Sequence, residues 1–237
     1  DCPIPSHLLT GDSIDIDVYL ENKPQQSRWY PGAGLYRNVH LVESDAIHIP
    51  TFGILVRTPK VSTESASVAI EVELMNGMNE LTSEKFNELT SEGIRIQTDI
   101  LYGEEVVATT EGAKSEAVVK EPKLWSPETP HLYTARTRVY KSQESRVKSQ
   151  ELLDERETRF GFRTISYTAE KGFQLNGQTR KFKGVCLHHD LGPLGAAIHK
   201  DALRHQIAIL QEMGCDAIRT SHNMPAPELV ELCDEMG

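Results

Sequence analysis

The chain has 237 residues, of which 38% are hydrophobic, and its formal net charge is -10. This length exceeds one ordinary small domain and leaves room for two domains or for parts of three. The acidic balance, with a pI near 5.4, argues against nucleic acid or an anionic membrane as a partner, because both attract basic surfaces. A neutral ligand fits this charge better.

No apolar stretch approaches the roughly 20 residues that are needed to cross a bilayer, and the N-terminus carries no basic-then-apolar leader pattern. Since the chain begins at Asp1, a leader that has already been removed stays open, and so do periplasmic and cytoplasmic locations. The cysteines lie far apart and form no C-x-x-C pair, which favours buried free thiols over a disulfide frame or a zinc site. They are Cys2, Cys186, Cys215 and Cys233.

The first segment, from Ser13 to Leu41, has a β pattern. "SIDIDVYL" alternates apolar and polar residues, as a half-buried strand does, and "RNVHLVES" continues the pattern. Between them, "WYPGAGLY" from Trp29 to Tyr36 predicts an irregular turn with aromatic rings packed nearby. Two or three strands cannot bury both faces of a sandwich, so this segment is too small to be a domain.

The second segment, from Ala46 to Ile165, contains six or seven short alternating runs separated by turn residues. Such a series over about 120 residues predicts an immunoglobulin-like sandwich. "NELTSE" occurs at Asn79 and Asn87, and "KSQE" at Lys141 and Lys148. These polar duplications are predicted to be surface loops, because a solenoid needs periods of about 20 residues or more.

The third segment changes to an α/β pattern. "GFQLNGQTRKFKGVCL" predicts a hairpin in which Asn176 and Gly177 form a type I′ turn. "KDALRHQIAILQEMG" predicts a helix that ends at Gly214, "DAIRTSH" a strand, and "APELVELCDEMG" a second helix with Pro227 in its first turn. Strand, helix, strand, helix is the order of parallel crossover units.

Polar side chains follow both predicted parallel strands. His188, His189 and Asp190 come directly after the first strand, and His222 follows the second. Because α/β folds bind ligands at the carboxyl ends of their strands, both clusters are candidates for a site. Arg219 lies within the second strand, where a charged group requires a partner, and the sequence shows no obvious carboxylate for it.

The cluster of His188, His189 and Asp190 could bind a metal, carry out nucleophilic catalysis or bind a ligand. Adjacent histidines in extended chain point to opposite sides, and no metal-binding spacing is present, so a metal site is disfavoured. No G-x-S-x-G motif supports nucleophilic catalysis. Ligand binding by neutral donors and acceptors is the preferred interpretation, and histidines satisfied by neighbouring loops are the alternative. His199 and His205 are predicted to lie on the surface.

Five ordered motifs resemble glycoside hydrolase family 2, which includes β-galactosidases, β-glucuronidases and β-mannosidases. They are "SRWYPGAGLYRNVHL", "LWSPETPHLY", "ETRFGFRTI", "GFQLNGQTRKFKGV" and "AIRTSHNMPAPELVELCDEMG". Within the family, "GVCLHHDLGPLGAA" is most similar to β-galactosidases of Bacteroides relatives. The resemblance implies a multidomain β plus α/β fold with no cofactor and a β-galactoside substrate, and it leaves self-association of the full-length protein open.

The resemblance also implies a domain layout. Residues 1–43 would be the C-terminal strands of a jelly-roll sugar-binding domain, and residues 44–166 an immunoglobulin-like sandwich. Residues 167–237 would be the first two β/α units of a TIM barrel, whose full form needs about 250 residues. The chain is therefore expected to be a fragment of a longer enzyme.

The resemblance assigns roles to the polar cluster. His188 and His222 match histidines that bind hydroxyls of the glycosyl ring, and Asp190 matches a position that can accept a bond from a hydroxyl. Asn223 is a neighbour of this subsite. Arg219 matches an arginine beside the nucleophilic glutamate, which it would keep ionised. His189 receives no role.

Both catalytic glutamates of these retaining glycosidases lie on later barrel strands, so no catalytic residue is expected within this chain. The fragment is accordingly expected to be inactive alone. Two alternatives stay open: a fragment of a β-glucuronidase or β-mannosidase, and a non-catalytic carbohydrate-binding or interaction module. An open two-unit barrel would expose apolar strand faces, which argues against the module.

Overall fold

The computed structural model describes residues 2–9, 11, 13–23, 34–81, 89–90, 93–142, 150–222 and 224–237. The first part of the chain contains β1 (Ile47–His48), β2 (Ile54–Arg57), β3 (Ser65–Val72), β4 (Met75–Asn76), β5 (Asn79–Glu80), β6 (Ile94–Tyr102), β7 (Glu105–Glu111), β8 (Lys114–Lys120), β9 (Tyr133–Ser142) and β10 (Gln150–Phe160). The second part contains β11 (Ile165–Thr168), β12 (Gly172–Leu175), β13 (Gln178–Thr179), β14 (Gly184–Leu187), α1 (Lys200–Glu212), β15 (Ala217–Thr220) and α2 (Pro227–Met236). In these ranges no helix has the length and apolar character that crossing a membrane requires.

The predicted sandwich is confirmed. One antiparallel sheet has the order β10-β9-β6-β7 and the other the order β2-β3-β8. β9 alternates buried and half-buried residues along "YTARTRVY", as a strand with one face on the core does. The core between the sheets includes Val68, Ile70, Ile100, Val139 and Phe162, each at most 1% exposed. The small sheet β1-β4-β5 adjoins this sandwich through contacts of β1 with β10.

The N-terminal segment differs from its prediction. The expected strand from Ser13 to Leu20 is not formed, and the described residues before β1 have no strand. Their apolar side chains are largely exposed, with Tyr19 at 88% and Leu41 at 86%. A strand needs a neighbour for its backbone hydrogen bonds, and the alternating pattern cannot supply one. The turn predicted from Trp29 to Tyr36 lies mostly outside the described residues.

The duplicated polar motifs are only partly described. Asn79–Glu80 forms β5, the Lys141–Ser142 pair ends β9, and residues 150–151 begin β10. These described residues are exposed, as predicted, but they pair in strands and do not form a loop, because strand pairing with a neighbour extends into the polar sequence. The remainder of both repeats lies outside the described residues.

The α/β segment follows its prediction closely. β11, β12 and β13 form an antiparallel sheet, and Asn176 and Gly177 have φ angles of 51° and 77°, as a type I′ turn requires. β14 and β15 pair in parallel and are joined through α1. Gly214, with φ of 87°, follows the helix where a left-handed residue is needed. A separate core of Leu203, Ile207, Leu229 and Leu232 joins α1 to α2, which begins at its first-turn proline.

The sandwich and the α/β segment are joined by hydrogen bonds of one tryptophan. Trp125 follows β8, and its indole Nε1 donates to the backbone oxygen of Asp234 in α2 at 2.9 Å. Its own backbone oxygen accepts from Asn176 Nδ2 at 3.0 Å. The guanidinium of Arg163 lies 5.0 Å from the centre of the indole ring, within the range of a cation–π contact. Trp125 therefore contacts both the hairpin turn and the last helix.

Ion pairs make further connections across this junction. Arg180 donates to both oxygens of Glu128, at 2.7 and 3.0 Å, and also to Asp216 Oδ2 at 3.0 Å. The hydrogen bond from Arg180 lowers the pKa of Glu128 to about 2. On α2, the Glu235 carboxylate accepts from Arg159 of β10 at 2.6 Å and from Arg204 of α1 at 3.0 Å. One carboxylate thus links the sandwich to both helices.

Candidate functional site

The two parallel strands end side by side. Leu187 of β14 pairs with Thr220 of β15, and the backbone N–H of Ser221 donates to the Leu187 oxygen at 2.9 Å. The residues that follow the two strands therefore emerge at the same edge of the sheet. The rings of His188 and His222 lie there edge to face, with centroids 5.7 Å apart and planes at 78°. Both histidines thus lie at one location, as predicted from the strand ends.

Arg219 reaches this pair from β15. Its Nη1 donates to Ser221 Oγ at 2.9 Å and to Cys186 Sγ at 3.7 Å, and its Nη2 lies 3.3 Å from His222 Nδ1. Cys186 is the register partner of Arg219 on β14, which places both side chains on one face of the sheet.

The environment of Arg219 differs from that expected of a charge within a core strand. The residue is exposed, because β15 lies at the edge of a two-stranded sheet. In the part of the chain that the structure describes, no carboxylate forms an ion pair with it. Its hydrogen-bond partners are a hydroxyl, a thiol and an imidazole.

Asp190 makes its hydrogen bonds within the loop after β14 and to α1. Asp190 Oδ1 accepts from the backbone N–H of Gly192 at 2.9 Å, where a short 3-10 turn begins, and the Asp190 backbone oxygen accepts from Gln206 Nε2 of α1 at 3.4 Å. The aspartate therefore orders the loop. No contact between its carboxylate and either ring is described.

His189 differs from its neighbour in the same loop. It has a φ of 55°, in the left-handed region. It lines a small cavity with Leu203 and Leu229 beneath the loop, and its Nε2 is buried without a hydrogen-bond partner among the described residues. Burial, followed by the charges of Arg37 and His188, lowers its pKa. His189 is therefore directed toward the helices, where its surroundings disfavour the charged form of the ring.

The N-terminal segment contacts the loop that follows His222. The Nη2 of Arg37 donates to the backbone oxygen of Met224, and Asn38 Nδ2 donates to Glu228 Oε1 at 2.8 Å. These contacts hold the loop and the first turn of α2 from outside the α/β segment. No spacing in the sequence indicated them, because 187 residues separate Arg37 from Met224.

The predicted surface histidines and the cysteines can be compared with the structure directly. His199 and His205 are exposed, as predicted, with His199 directly before α1. The four thiols are free, but Cys2 and Cys186 are exposed rather than buried. Cys186 lies on β14 of a sheet that has only two strands. Asn223 lies outside the described residues.

Two contributors to the site were not predicted from the sequence, namely Ser221 and Cys186. Ser221 is 3% exposed and lies between Arg219 and His222 in the chain. The available signal was the strand period, since alternate residues of a strand share a face. Within the described part of the chain, no three His, Cys, Asp or Glu side chains come close enough together to hold a metal ion.

This fold agrees with the comparison to known families. Residues 48–163 match the glycosyl hydrolases family 2, and residues 167–237 match the TIM barrel domain of the same family. The chain belongs to glycosyl hydrolase family 2. The family and the fold class predicted from the five motifs, a β-sandwich followed by the start of a TIM barrel, are confirmed.

Proteins similar to this chain are named as β-galactosidases, β-glucuronidases and β-glycosidases. The chain is 40% identical to the β-galactosidase BoGH2A of Bacteroides ovatus over 94% of its own length and 26% of that protein. It is 28% identical to a β-glucuronidase of Bacteroides fragilis over 86% of its length and 29% of that protein. A β-glycosidase crystal structure from Bacteroides vulgatus superposes with a TM-score of 0.75 at 34% identity, covering 89% of this chain and 26% of that one. The chain thus spans about a quarter of the length of these relatives.

Proposed function

We propose that this chain is part of a retaining glycosidase that cleaves terminal β-linked sugars, with β-galactosides as the preferred substrates. The observation that carries the proposal is the cluster of His188, His222 and Arg219 at the carboxyl ends of two parallel strands of a family 2 barrel domain. Ligands of such barrels bind at this end. The similarity to a β-galactosidase at 40% identity supports the sugar.

In this proposal the histidines form part of a glycosyl subsite. His188 and His222 hydrogen-bond to ring hydroxyls, and these contacts strengthen as the ring flattens toward an oxocarbenium-like transition state. Asp190 accepts from a hydroxyl through the oxygen that does not bind Gly192, which requires the loop to adjust when sugar is present. Asn223 completes the rim of the subsite.

Catalysis itself is assigned to residues outside this chain. A retaining glycosidase needs two carboxylates about 5–5.5 Å apart, one as nucleophile and one as acid/base. The described cluster around the histidines contains no such pair. We place both glutamates on the later strands of the barrel, and Arg219 beside the nucleophile, where a guanidinium favours the ionised carboxylate. The domain division at 1–43, 44–166 and 167–237 is part of this proposal.

A second candidate is hydrolysis of β-glucuronides. The 28% identical relative from Bacteroides fragilis has this activity in its name. Arg219 also places a cation beside His222, and Arg37 contacts the loop that follows this histidine; a sugar carboxylate would suit such cations.

The experiment is a substrate panel on the full-length protein that contains this chain, using nitrophenyl β-galactoside, β-glucuronide and β-mannoside. We expect turnover of the galactoside with the highest kcat/KM. Preference for the glucuronide would replace the first candidate by the second, and no turnover of any glycoside would overturn both. The 237-residue chain alone serves as the control and is expected to be inactive. Hydrolysis by it would show that the catalytic pair has been placed wrongly.

A further inference from the structure

Ser221 is the most buried of the three residues that contact Arg219. Its side chain is 3% exposed, and its backbone N–H is bonded to Leu187, so that its position is set by the strand pairing. Its hydroxyl oxygen accepts from Arg219 Nη1 at 2.9 Å. Among the described partners of the guanidinium, this hydroxyl makes the shortest contact.

Cys186 provides the second contact with the same nitrogen of Arg219. The Sγ atom lies 3.7 Å from Nη1, and the hydrogen bonds from Arg219 and then from Ser221 lower the pKa of the thiol. Arginine has a long side chain that loses much rotamer freedom when it is ordered. One partner on β14 and one directly after β15 favour the orientation in which both contacts form.

Arg219 also contacts the ring of His222. Arg219 Nη2 lies 3.3 Å from His222 Nδ1. A guanidinium has only donors, so the ring nitrogen that faces it has to accept. An imidazole whose Nδ1 accepts is neutral and carries its proton on Nε2. The arginine thus selects the tautomer in which His222 donates through Nε2.

We propose that Ser221 is a positioning residue: its hydroxyl, assisted by Cys186, orients Arg219, and Arg219 in turn holds His222 as the Nε2–H donor that binds a substrate oxygen. This inference rests on the proposed function, because the donor acts on a glycosyl hydroxyl. It adds a residue for which neither the sequence motifs nor the subsite roles account. Ser221 itself does not touch the sugar in this scheme.

The test is a double-mutant cycle on the full-length protein, with kcat/KM for nitrophenyl β-galactoside as the readout. Ser221→Ala is expected to lower kcat/KM about tenfold, the effect of losing one hydrogen bond to a charged group. Arg219→Ala should lower it further. In the Arg219→Ala background, Ser221→Ala is expected to have no additional effect, because the residue through which it acts is gone. Additive losses would assign Ser221 a purely structural role and overturn the proposal.

Ser67→Ala is the matched control. Ser67 is 6% exposed on β3 of the sandwich, and its Oγ has no hydrogen-bond partner in the described structure. The same loss of a buried hydroxyl there should leave kcat/KM at the wild-type value. A tenfold fall in Ser67→Ala as well would show that the effect at Ser221 is general destabilisation.

A second pair of variants keeps the test decisive if Ser221→Ala does not fold. Ser221→Thr and Ser221→Val have the same shape and differ in the hydroxyl, so both share any packing cost of the added carbon. The threonine variant is expected to retain about tenfold higher kcat/KM than the valine variant. Equal values would overturn the proposal. Absence of turnover in the wild-type protein would instead contradict the proposed function, so the two failures are distinguishable.

Discussion

The indole Nε1 of Trp125 donates a hydrogen bond to the backbone oxygen of Asp234, 2.9 Å away and 109 residues further along the chain. This bond connects the segment after β8 of the sandwich to the last turn of α2. The helix that follows His222 in the chain is therefore held from the sandwich side. Trp125 belongs to the motif "LWSPETPHLY", whose position in the fold explains why a tryptophan is needed there.

Trp125→Phe removes this hydrogen bond and keeps an aromatic ring. Because the site is partly exposed to water, we expect a loss of about 0.5–1.5 kcal/mol in the free energy of unfolding. Urea denaturation of both proteins measures the change. Tyr167→Phe, at a side chain that is 72% exposed, is the control and should leave stability unchanged. Equal stability of Trp125→Phe and wild type would show that the bond contributes nothing across the junction.

The paired threonines Thr98 and Thr137 are buried in the sandwich, with their hydroxyl oxygens 2.9 Å apart. Thr137→Val leaves the Thr98 hydroxyl without its partner and is expected to cost about 1–3 kcal/mol of stability. The double variant Thr98→Val/Thr137→Val removes both polar groups at nearly constant shape and should recover most of this loss. Thermal unfolding of the wild type, the single variant and the double variant measures these differences in stability. A double variant that is less stable than the single one would contradict a simple desolvation cost.

The Glu235 carboxylate should make stability dependent on pH. Hydrogen bonds from Arg159 chiefly lower its pKa below the ordinary value of 4.5. A carboxylate with a lowered folded-state pKa stabilises the protein above its unfolded-state pKa, and this contribution is lost as the pH falls through the folded-state value. The stability difference between wild type and Glu235→Gln is therefore expected to be largest at neutral pH and to shrink below pH 4.5.

Urea unfolding between neutral and acidic pH measures this difference. Glu104→Gln, in the exposed turn between β6 and β7, controls for the loss of one negative charge. A difference between wild type and Glu235→Gln that stays constant over the whole range would exclude the ion pair as its source.

The two histidines His222 and His205 provide a matched comparison in the full-length enzyme. His222 lies at the end of β15 against His188, whereas His205 is exposed on α1. His222→Ala is expected to lower kcat/KM by about 10- to 100-fold, as expected when a hydrogen bond to the transition state is lost. His205→Ala should behave as wild type. Steady-state kinetics with a nitrophenyl β-galactoside check this, and equal effects would remove His222 from the subsite.

Local patterns were sufficient for much of the fold. The hairpin turn at Asn176 and Gly177, the glycine after α1 and the proline that begins α2 are each determined by backbone chemistry within a few residues. The position of His188 and His222 followed from the rule that parallel strands end at the same edge. The strand predicted from the alternating pattern between Ser13 and Leu20 was wrong. A strand forms only beside another strand that accepts its hydrogen bonds, and an alternating pattern does not show whether one is present.

The sequence by itself determined the family, the sandwich followed by parallel β/α units, and the two strand ends at which polar groups gather, since these depend on local periodicity and on short motifs. Only the tertiary structure decided that Arg219 is oriented by Ser221 and Cys186, that His189 is directed toward the helices, and that Arg37 and Trp125 hold α2 and its preceding loop. The physical reason is distance along the chain. The contacts of Arg219 with Cys186 and of Arg37 with Met224 join residues 33 and 187 positions apart, and no pattern within a few residues encodes them. Ser221 is only two positions from Arg219, but its place beside Leu187 of β14 is likewise set by packing.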